Sequence, residues 1–338
     1  MKKLLSYLKY VIFLGGGLFL VWWQLHEMTP EQKILFNDAL MQADYLLIIG
    51  DHHEPAESSQ PCHALKLLME PLGYFPKLKN VFAVTMIGYL ANGAVNRLGE
   101  VLKCTFLAKY EKLPADKLIG TILIERAFDL ICYILFITLT VIIQLDVLGD
   151  FAMEKLRGIA HGGAIPFWAK GLIFISVIVL TVLTLKFIFA RYPQNRALLK
   201  IKNFIKGIGK GFAAIKTLKH RKLFIVHTLF IWSMYLLQIY LAFKAMEATA
   251  HLGIREACTV LSLSTLAMIL TPGGIGSFPI FVMKTLLIYG IASSAGNALG
   301  WLIWGVSTGI IIVSGVVSLL ILPYINKKRH EVSTGYPG

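Results

Sequence analysis

Long apolar runs separated by short polar connectors dominate the hydrophobic pattern of this chain. A helix that crosses a membrane needs about 20 apolar residues, because it rises ~1.5 Å per residue through ~30 Å of hydrocarbon. Runs of this kind predict spans at 8–25, 118–143, 171–190, 223–246 and 298–322. We therefore predict an all-α, polytopic integral membrane bundle, with one transmembrane domain over 1–325 and a cytoplasmic tail over 326–338.

Two further apolar stretches, 81–108 and 257–291, are interrupted by small and polar residues. Asparagines and glycines lie at 91–99, and prolines and glycines lie at 272–279. Such residues break helices, and broken backbone at membrane depth survives only inside protein or against a cavity. Both stretches are predicted to be re-entrant or broken helices.

Loop charges predict that these two stretches enter from opposite faces. Residues 191–222 contain ten Lys or Arg and no Asp or Glu, which is typical of a cytoplasmic connector. Counting crossings from there puts both ends of 81–108 inside, both ends of 257–291 outside, and both termini in the cytoplasm. One full span follows each stretch. This order suggests an inverted repeat in the cell membrane, with a site where the broken elements meet.

Within the basic connector, Ile and Phe recur at helical spacing over 196–219. The pattern predicts an amphipathic helix lying on the anionic phospholipids of the inner leaflet. A calmodulin-target-like peptide has the same pattern and remains an alternative.

The second span, predicted over 34–50, is disrupted. Residues 51–63 are polar, contain two prolines and are unable to span, although the topology needs a crossing before Lys66. Our hypothesis is a shifted reading frame or a divergent lesion, and resequencing the gene tests it. Asp51, His52 and His63 have metal-ligand side chains, but no helix is expected to align them, so no metal is predicted.

Composition narrows the function. Charged residues are only 15% of the chain and hydrophobic residues 56%, and the mean hydropathy is +0.68. The net charge is +14, and the basic residues responsible for it lie beside membrane segments, so we expect no nucleic-acid partner. No nucleotide loop or catalytic triad is recognisable, so neither an enzyme activity nor a cofactor is expected. Nothing indicates an oligomeric state.

Ionisable residues inside apolar runs are the candidate site, because such residues are costly in a membrane. The predicted binding residues are Asn92, Arg97, Glu100, Glu125, Arg126 and Asp129. In one interpretation the arginines bind a phosphate headgroup, and the carboxylates orient them or carry a coupled proton. In the other, the charges pair with one another and only hold the helices together.

Four further residues have two interpretations each. Gly273, Gly274 and Gly276 either present backbone N–H groups to an anion or form a plain tight turn. Lys284 either faces a cavity or extends to the membrane interface.

The segments 88–101, 125–129 and 272–276 together resemble the flippase-like transmembrane domain of lysylphosphatidylglycerol synthases and its stand-alone relatives. The resemblance covers about residues 8–325. It implies translocation of a phospholipid or lipid-linked anion between leaflets, and it makes Arg97, Glu100, Glu125, Arg126 and Asp129 characteristic positions. The soluble aminoacyl-transfer domain is not in this sequence, so we do not expect synthase activity from it.

The chain departs from the family pattern twice. Asn96 stands near a usual proline, and 62–67 replaces an Arg-rich, Trp-containing motif. A flippase-like protein is therefore the leading prediction. A secondary transporter of a small solute, or a non-transporting scaffold or inactive paralogue, is the alternative.

Overall fold

The computed structural model describes residues 18–45, 54–144 and 220–334, apart from single gaps at 25 and 96, together with the isolated positions 176 and 180. These residues are helices, turns and connectors without a strand, which confirms the predicted all-α class. The predicted span 171–190 and amphipathic helix 196–219 lie outside the described residues, as do 1–17 of the first span.

Helices account for most of the described chain. The α-helices are α1 (Pro30–Met41), α2 (Glu54–Met69), α3 (Leu78–Ala94), α4 (Leu98–Glu111), α5 (Ala115–Ile143), α6 (Arg221–Lys244), α7 (Ile254–Leu270), α8 (Ser277–Ile288) and α9 (Ser293–Thr334). Short 3-10 turns lie at Glu70–Leu72, Glu247–Thr249 and Pro272–Gly274. Residues 18–24 are also helical.

The single domain predicted over 1–325 divides into two compact units. The first comprises Met1–Glu125 and Lys216–Gly338, and the second comprises Arg126–Ile215. Helix α5 begins in the first unit and continues into the second. The other named helices belong to the first unit.

Among the residues that the structure describes, three helices are long and apolar enough to cross a membrane: Lys117–Ile143, Arg221–Lys244 and Ser293–Lys327. Each agrees with a predicted span to within a few residues. Large apolar side chains are exposed along all three, among them Leu135, Leu229 and Leu320. Surfaces of this kind are typical of helices that face hydrocarbon.

The disrupted second span, predicted over 34–50, is described only as far as residue 45. Helix α1 covers 30–41 instead of starting at 34, since Thr29 and Gln32 form a capping box there. Residues 46–53 lie outside the described part.

The polar block that was expected to lack a helix contributes residues 54–65 to helix α2. Cys62, Leu65 and Met69 recur at helical spacing and are fully buried against α3 and α4. This buried apolar face explains why the helix continues through Pro61, despite the cost of a proline inside a helix.

Both stretches predicted to be broken are broken in the structure. The first consists of α3 and α4 separated at 95–97, and the second of α7 and α8 separated at 271–276. Within each pair the two helices pack against one another. Entry and return through one face of a membrane stays a prediction.

Helix α9 packs against α1, α3, α6 and α8 and is the central element of the first unit. Glycines allow close contact: a Cβ on Gly300 would lie 2.7 Å from Cα of Pro279, and one on Gly315 would lie 2.6 Å from Cβ of Leu90. The helix continues to Thr334, beyond the predicted end at 322 and into the predicted tail. No proline or glycine occurs between 324 and 334 to stop it.

A buried amide pair joins the start of α3 to α9. Asn80 and Asn326 each donate to the other's Oδ1 at 2.9 Å. Asn80 also donates to Oε1 of Glu111, at 2.5 Å, at the end of α4. These bonds fix three helix ends relative to one another, because neither buried amide has water to replace its partner.

Candidate functional site

The two helix breaks meet in the first unit. The turn Pro272–Gly274 packs against α3, and a Cβ on Gly273 would lie 3.1 Å from Cα of Gly93. Gly273 has φ +59°, a left-handed conformation that favours glycine. Trp304 of α9 donates from Nε1 to the Gly273 carbonyl at 2.8 Å. The meeting of two broken elements was predicted from the sequence, and the structure contains it.

The turn between α7 and α8 satisfies much of its own backbone. The Gly274 N–H donates to the Thr271 carbonyl at 3.1 Å, and the Ser277 hydroxyl donates to the Ala267 carbonyl at 2.9 Å. Gly274 and Gly276 have φ of +71° and +70°. The three glycines form a tight turn in which the N–H of Gly274 is already bonded, and binding of an anion by this turn stays a prediction.

The break between α3 and α4 is closed by Asn92. Its Oδ1 accepts from the Gly99 N–H at 2.7 Å, which caps the first turn of α4 from the neighbouring helix. A Cβ on Gly99 would overlap the Gly88 carbonyl oxygen, so the two helices approach as closely as glycine permits. Asn92, predicted to bind a ligand, has a structural role here.

Arg97 lies at the tip of this hairpin and is exposed. It precedes α4 with φ +66°, an uncommon conformation for a residue with a side chain. The sequence anticipated its placement at the break but not its conformation.

A buried ion pair lies beside the junction. Nζ of Lys103 on α4 is 3.6 Å from Oε1 of Glu125 on α5, and the two residues are 4% and 7% exposed. Nζ of Lys103 also lies 5.5 Å from the ring centroid of Tyr89, within cation–π range. Lys103 is about 8 Å along α4 from the hairpin tip, at ~1.5 Å per residue.

Glu100 lies three residues before Lys103 on α4. Its Oε2 is buried and has no hydrogen-bond partner within the described part of the chain. A buried carboxylate oxygen without a donor is costly, so it marks a position where a donor or cation would be stabilised. Together these residues form the charge cluster, defined as Tyr89, Glu100, Lys103 and Glu125.

Sequence reasoning missed two members of this cluster, Lys103 and Tyr89. The pairing interpretation expected the charges of the two elements to hold the helices together, but it did not name Lys103 as the partner of Glu125. The available signal was a lysine within an apolar run, one turn beyond Glu100.

Arg126 and Asp129 belong to the second unit. Nη2 of Arg126 lies 3.2 Å from Oδ2 of Asp129, and the two side chains are 45% and 46% exposed. An exposed pair one turn apart on a helix contributes at most about 1 kcal/mol. The expected pairing of these two residues is confirmed.

Lys284 is exposed on α8. It is not part of the charge cluster.

An apolar groove runs along the other side of α3. It has a volume of about 340 Å³ and lies between α3 and α9, lined mainly by Leu78, Phe82, Val317 and Ile321, with Lys79 among its residues. Its apolar lining suits a hydrocarbon chain.

Within the described ranges, no group of three or more His, Cys, Asp or Glu side chains is placed to hold a metal. Residues 51–53 lie outside these ranges.

A family model described as the lysylphosphatidylglycerol synthase TM region matches residues 8–315. The chain belongs to this family. The resemblance deduced from its motifs is thereby confirmed, and the chain is a membrane protein. The range matched by the LPG synthase TM family includes Arg97, Glu100, Glu125 and both helix breaks.

The chain is also similar to the UPF0104 membrane protein MJ1595 of Methanocaldococcus jannaschii. The two are 24% identical over 280 residues, which is 78% of this chain and 81% of the relative. The similarity therefore extends over most of both chains. No solved structure matches the chain significantly.

Proposed function

We propose that the chain binds an anionic phospholipid or lipid-linked anion and moves its headgroup between the leaflets of the cell membrane. The charge cluster beside the junction of the two helix breaks is the observation that supports this most. A phosphate headgroup is too costly to move through hydrocarbon unaided, and a lysine already desolvated in protein can accept it.

In this proposal Lys103 exchanges its partner. Glu125 neutralises the lysine when the site is empty, and a headgroup phosphate replaces the carboxylate when lipid binds. Arg97, exposed at the hairpin tip, gives the phosphate its first contact. The acyl chains stay in hydrocarbon or in the groove between α3 and α9.

The proposed role is transport or binding, with no covalent step, and the termini face the cytoplasm.

The 3.6 Å separation of Nζ of Lys103 and Oε1 of Glu125 is longer than a strong charge-assisted hydrogen bond, so the pair is not held at its closest geometry. This makes an exchange of partners easier than for a tightly bonded pair.

Leaflet exchange in reconstituted vesicles tests the proposal. The wild-type chain is compared with Lys103→Gln, Glu125→Gln and the double variant, each checked for monodispersity before reconstitution. If the Lys103–Glu125 pair only holds helices together, the double variant recovers exchange because neither member of the pair is left charged without the other. If Lys103 binds the headgroup, Lys103→Gln and the double variant are both inactive.

A secondary transporter of a small solute is distinguished in the same vesicles. Substrate-dependent ion flux without lipid exchange would overturn the lipid proposal. Lys284→Gln is the matched control, since it removes a lysine that lies outside the cluster.

A further inference from the structure

A second pocket lies on a different face of α2, where this helix packs against α6. Its volume is about 180 Å³. The pocket is lined on one side by α2 and the turn that follows it, through His63, Lys66, Leu67 and Glu70 at helical spacing. On the other side it is lined by Leu223 and His227 of α6, which are one turn apart. The side chains of two helices therefore converge on one cavity, separate from the charge cluster.

Nitrogen donors dominate the polar lining. The rings of His63 and His227 stack with centroids 5.7 Å apart and planes 17° from parallel. Lys66 adds an ammonium group one turn along α2 from His63. Two stacked imidazoles and a lysine in a half-buried cavity repel one another when charged, and an anion between them removes that repulsion.

The carboxylate in the pocket is engaged elsewhere. Oε1 of Glu70 lies 3.5 Å from Nε2 of His220, which precedes α6. His220, Arg221 and Lys222 are exposed beside the cavity and add positive charge at the start of α6. The local charge thus favours an anion despite Glu70.

Exposed apolar side chains adjoin the same cavity. Phe75 is 74% exposed and Leu223 is 47% exposed, and both line the pocket. Leu72, in the turn after α2, is also exposed. A free phosphate makes no favourable contact with an apolar rim, whereas a lipid places its phosphate in the cavity and its acyl chains on the rim.

We propose that this pocket binds the phosphate headgroup of an anionic phospholipid, held by Lys66, His63 and His227 at the end of α6 that is predicted to be cytoplasmic. The bound lipid holds α2 and α6 together. The site is independent of translocation and remains if the chain moves no lipid.

Lipid retention measured by native mass spectrometry tests the site. The full chain is extracted from membranes that contain phosphatidylglycerol and phosphatidylcholine, and retention of the two lipids is compared. We expect the anionic lipid to be retained preferentially and Lys66→Gln to weaken its binding about tenfold, the effect of one charge-assisted hydrogen bond. Lys109→Gln is the matched control, because it removes an exposed lysine on α4 that does not line the pocket.

Glu70→Gln is expected to change the affinity for phosphatidylglycerol in the opposite direction to Lys66→Gln. Removal of the carboxylate also releases His220, so binding of phosphatidylglycerol becomes tighter, a result that misfolding does not produce. Weaker binding in this variant would indicate a cation site and overturn the proposal. Equal losses in Lys66→Gln and Lys109→Gln would reduce the effect to general surface charge and also overturn it. Displacement of the lipid by excess inorganic phosphate, with no preference between the two lipids, would show that the pocket takes free phosphate instead.

Discussion

Substitution of Glu125 by glutamine tests the buried ion pair energetically. The side chain keeps its shape but loses its charge, which leaves the ammonium of Lys103 in a site where the residue is only 4% exposed. Removing one partner of a buried pair costs about 3–5 kcal/mol, mostly from the charge left behind. Since the glutamine oxygen can still accept a hydrogen bond, we expect about 3 kcal/mol, at the lower end of that range.

The companion variants measure the interaction energy between Lys103 and Glu125. Lys103→Met in the Glu125→Gln background removes the stranded charge, so the double variant is expected within about 1 kcal/mol of the wild type. The coupling energy from this cycle is then at least about 2 kcal/mol. Lys109→Gln, at an exposed position on the same helix, is the control and changes stability by less than about 0.5 kcal/mol.

The assay is denaturant-induced unfolding of the purified chain in one detergent, with the wild type, Glu125→Gln, Lys103→Met, the double variant and Lys109→Gln measured side by side. The stability of each single variant is compared with that of the wild type and that of the double variant. Additive effects, with each single variant within about 0.5 kcal/mol of the wild type, would refute the reasoning. That outcome would mean that Lys103 reaches water and that the pair is not buried.

Two further perturbations test the packing. Gly99→Ala places a Cβ against the Gly88 carbonyl, so we expect a loss of about 1–3 kcal/mol in the same unfolding assay. Gly120→Ala, where a Cβ meets nothing within 4 Å, should be neutral or stabilising, and equal effects would contradict the close approach of α3 and α4. Asn326→Leu leaves the buried Asn80 carbonyl oxygen without its donor and should cost about 2 kcal/mol. A thermal midpoint unchanged from the wild type would show that the amide pair does not hold α9.

The helix breaks could be predicted from the sequence because glycine, proline and asparagine act locally. The left-handed conformation of Gly273 is a property of the turn itself. Its contact with Gly93 required the argument that two re-entrant elements share a site, and this argument rests on loop charges far from the contact. In this case the turn residues and the predicted topology both indicated that the two breaks lie together.

Helix α2 could not be predicted as readily. Its polar residues and Pro61 suggested a break, whereas Cys62, Leu65 and Met69 form an apolar face at helical spacing. That face is stabilised by α3 and α4, so the burial that keeps the helix depends on residues distant in sequence. Propensity was overridden by tertiary packing.

The particular partner of Glu125 could not be named from the sequence for a related reason. Spacing along one helix relates Glu125 to Asp129 and Arg126, but it carries no information about another helix. Gly88 lets Lys103 lie close against α3: a Cβ on Gly88 would be 3.0 Å from Cγ of Lys103. The pairing therefore depends on how closely two helices pack.

The most direct measurement of the central claim is the rate at which labelled phospholipid crosses between leaflets in vesicles that contain the purified wild-type chain. The account predicts faster exchange of an anionic lipid than in protein-free vesicles, in proportion to the amount of protein reconstituted. Exchange no faster than in protein-free vesicles, from a monodisperse preparation and across anionic and zwitterionic lipids, would contradict it.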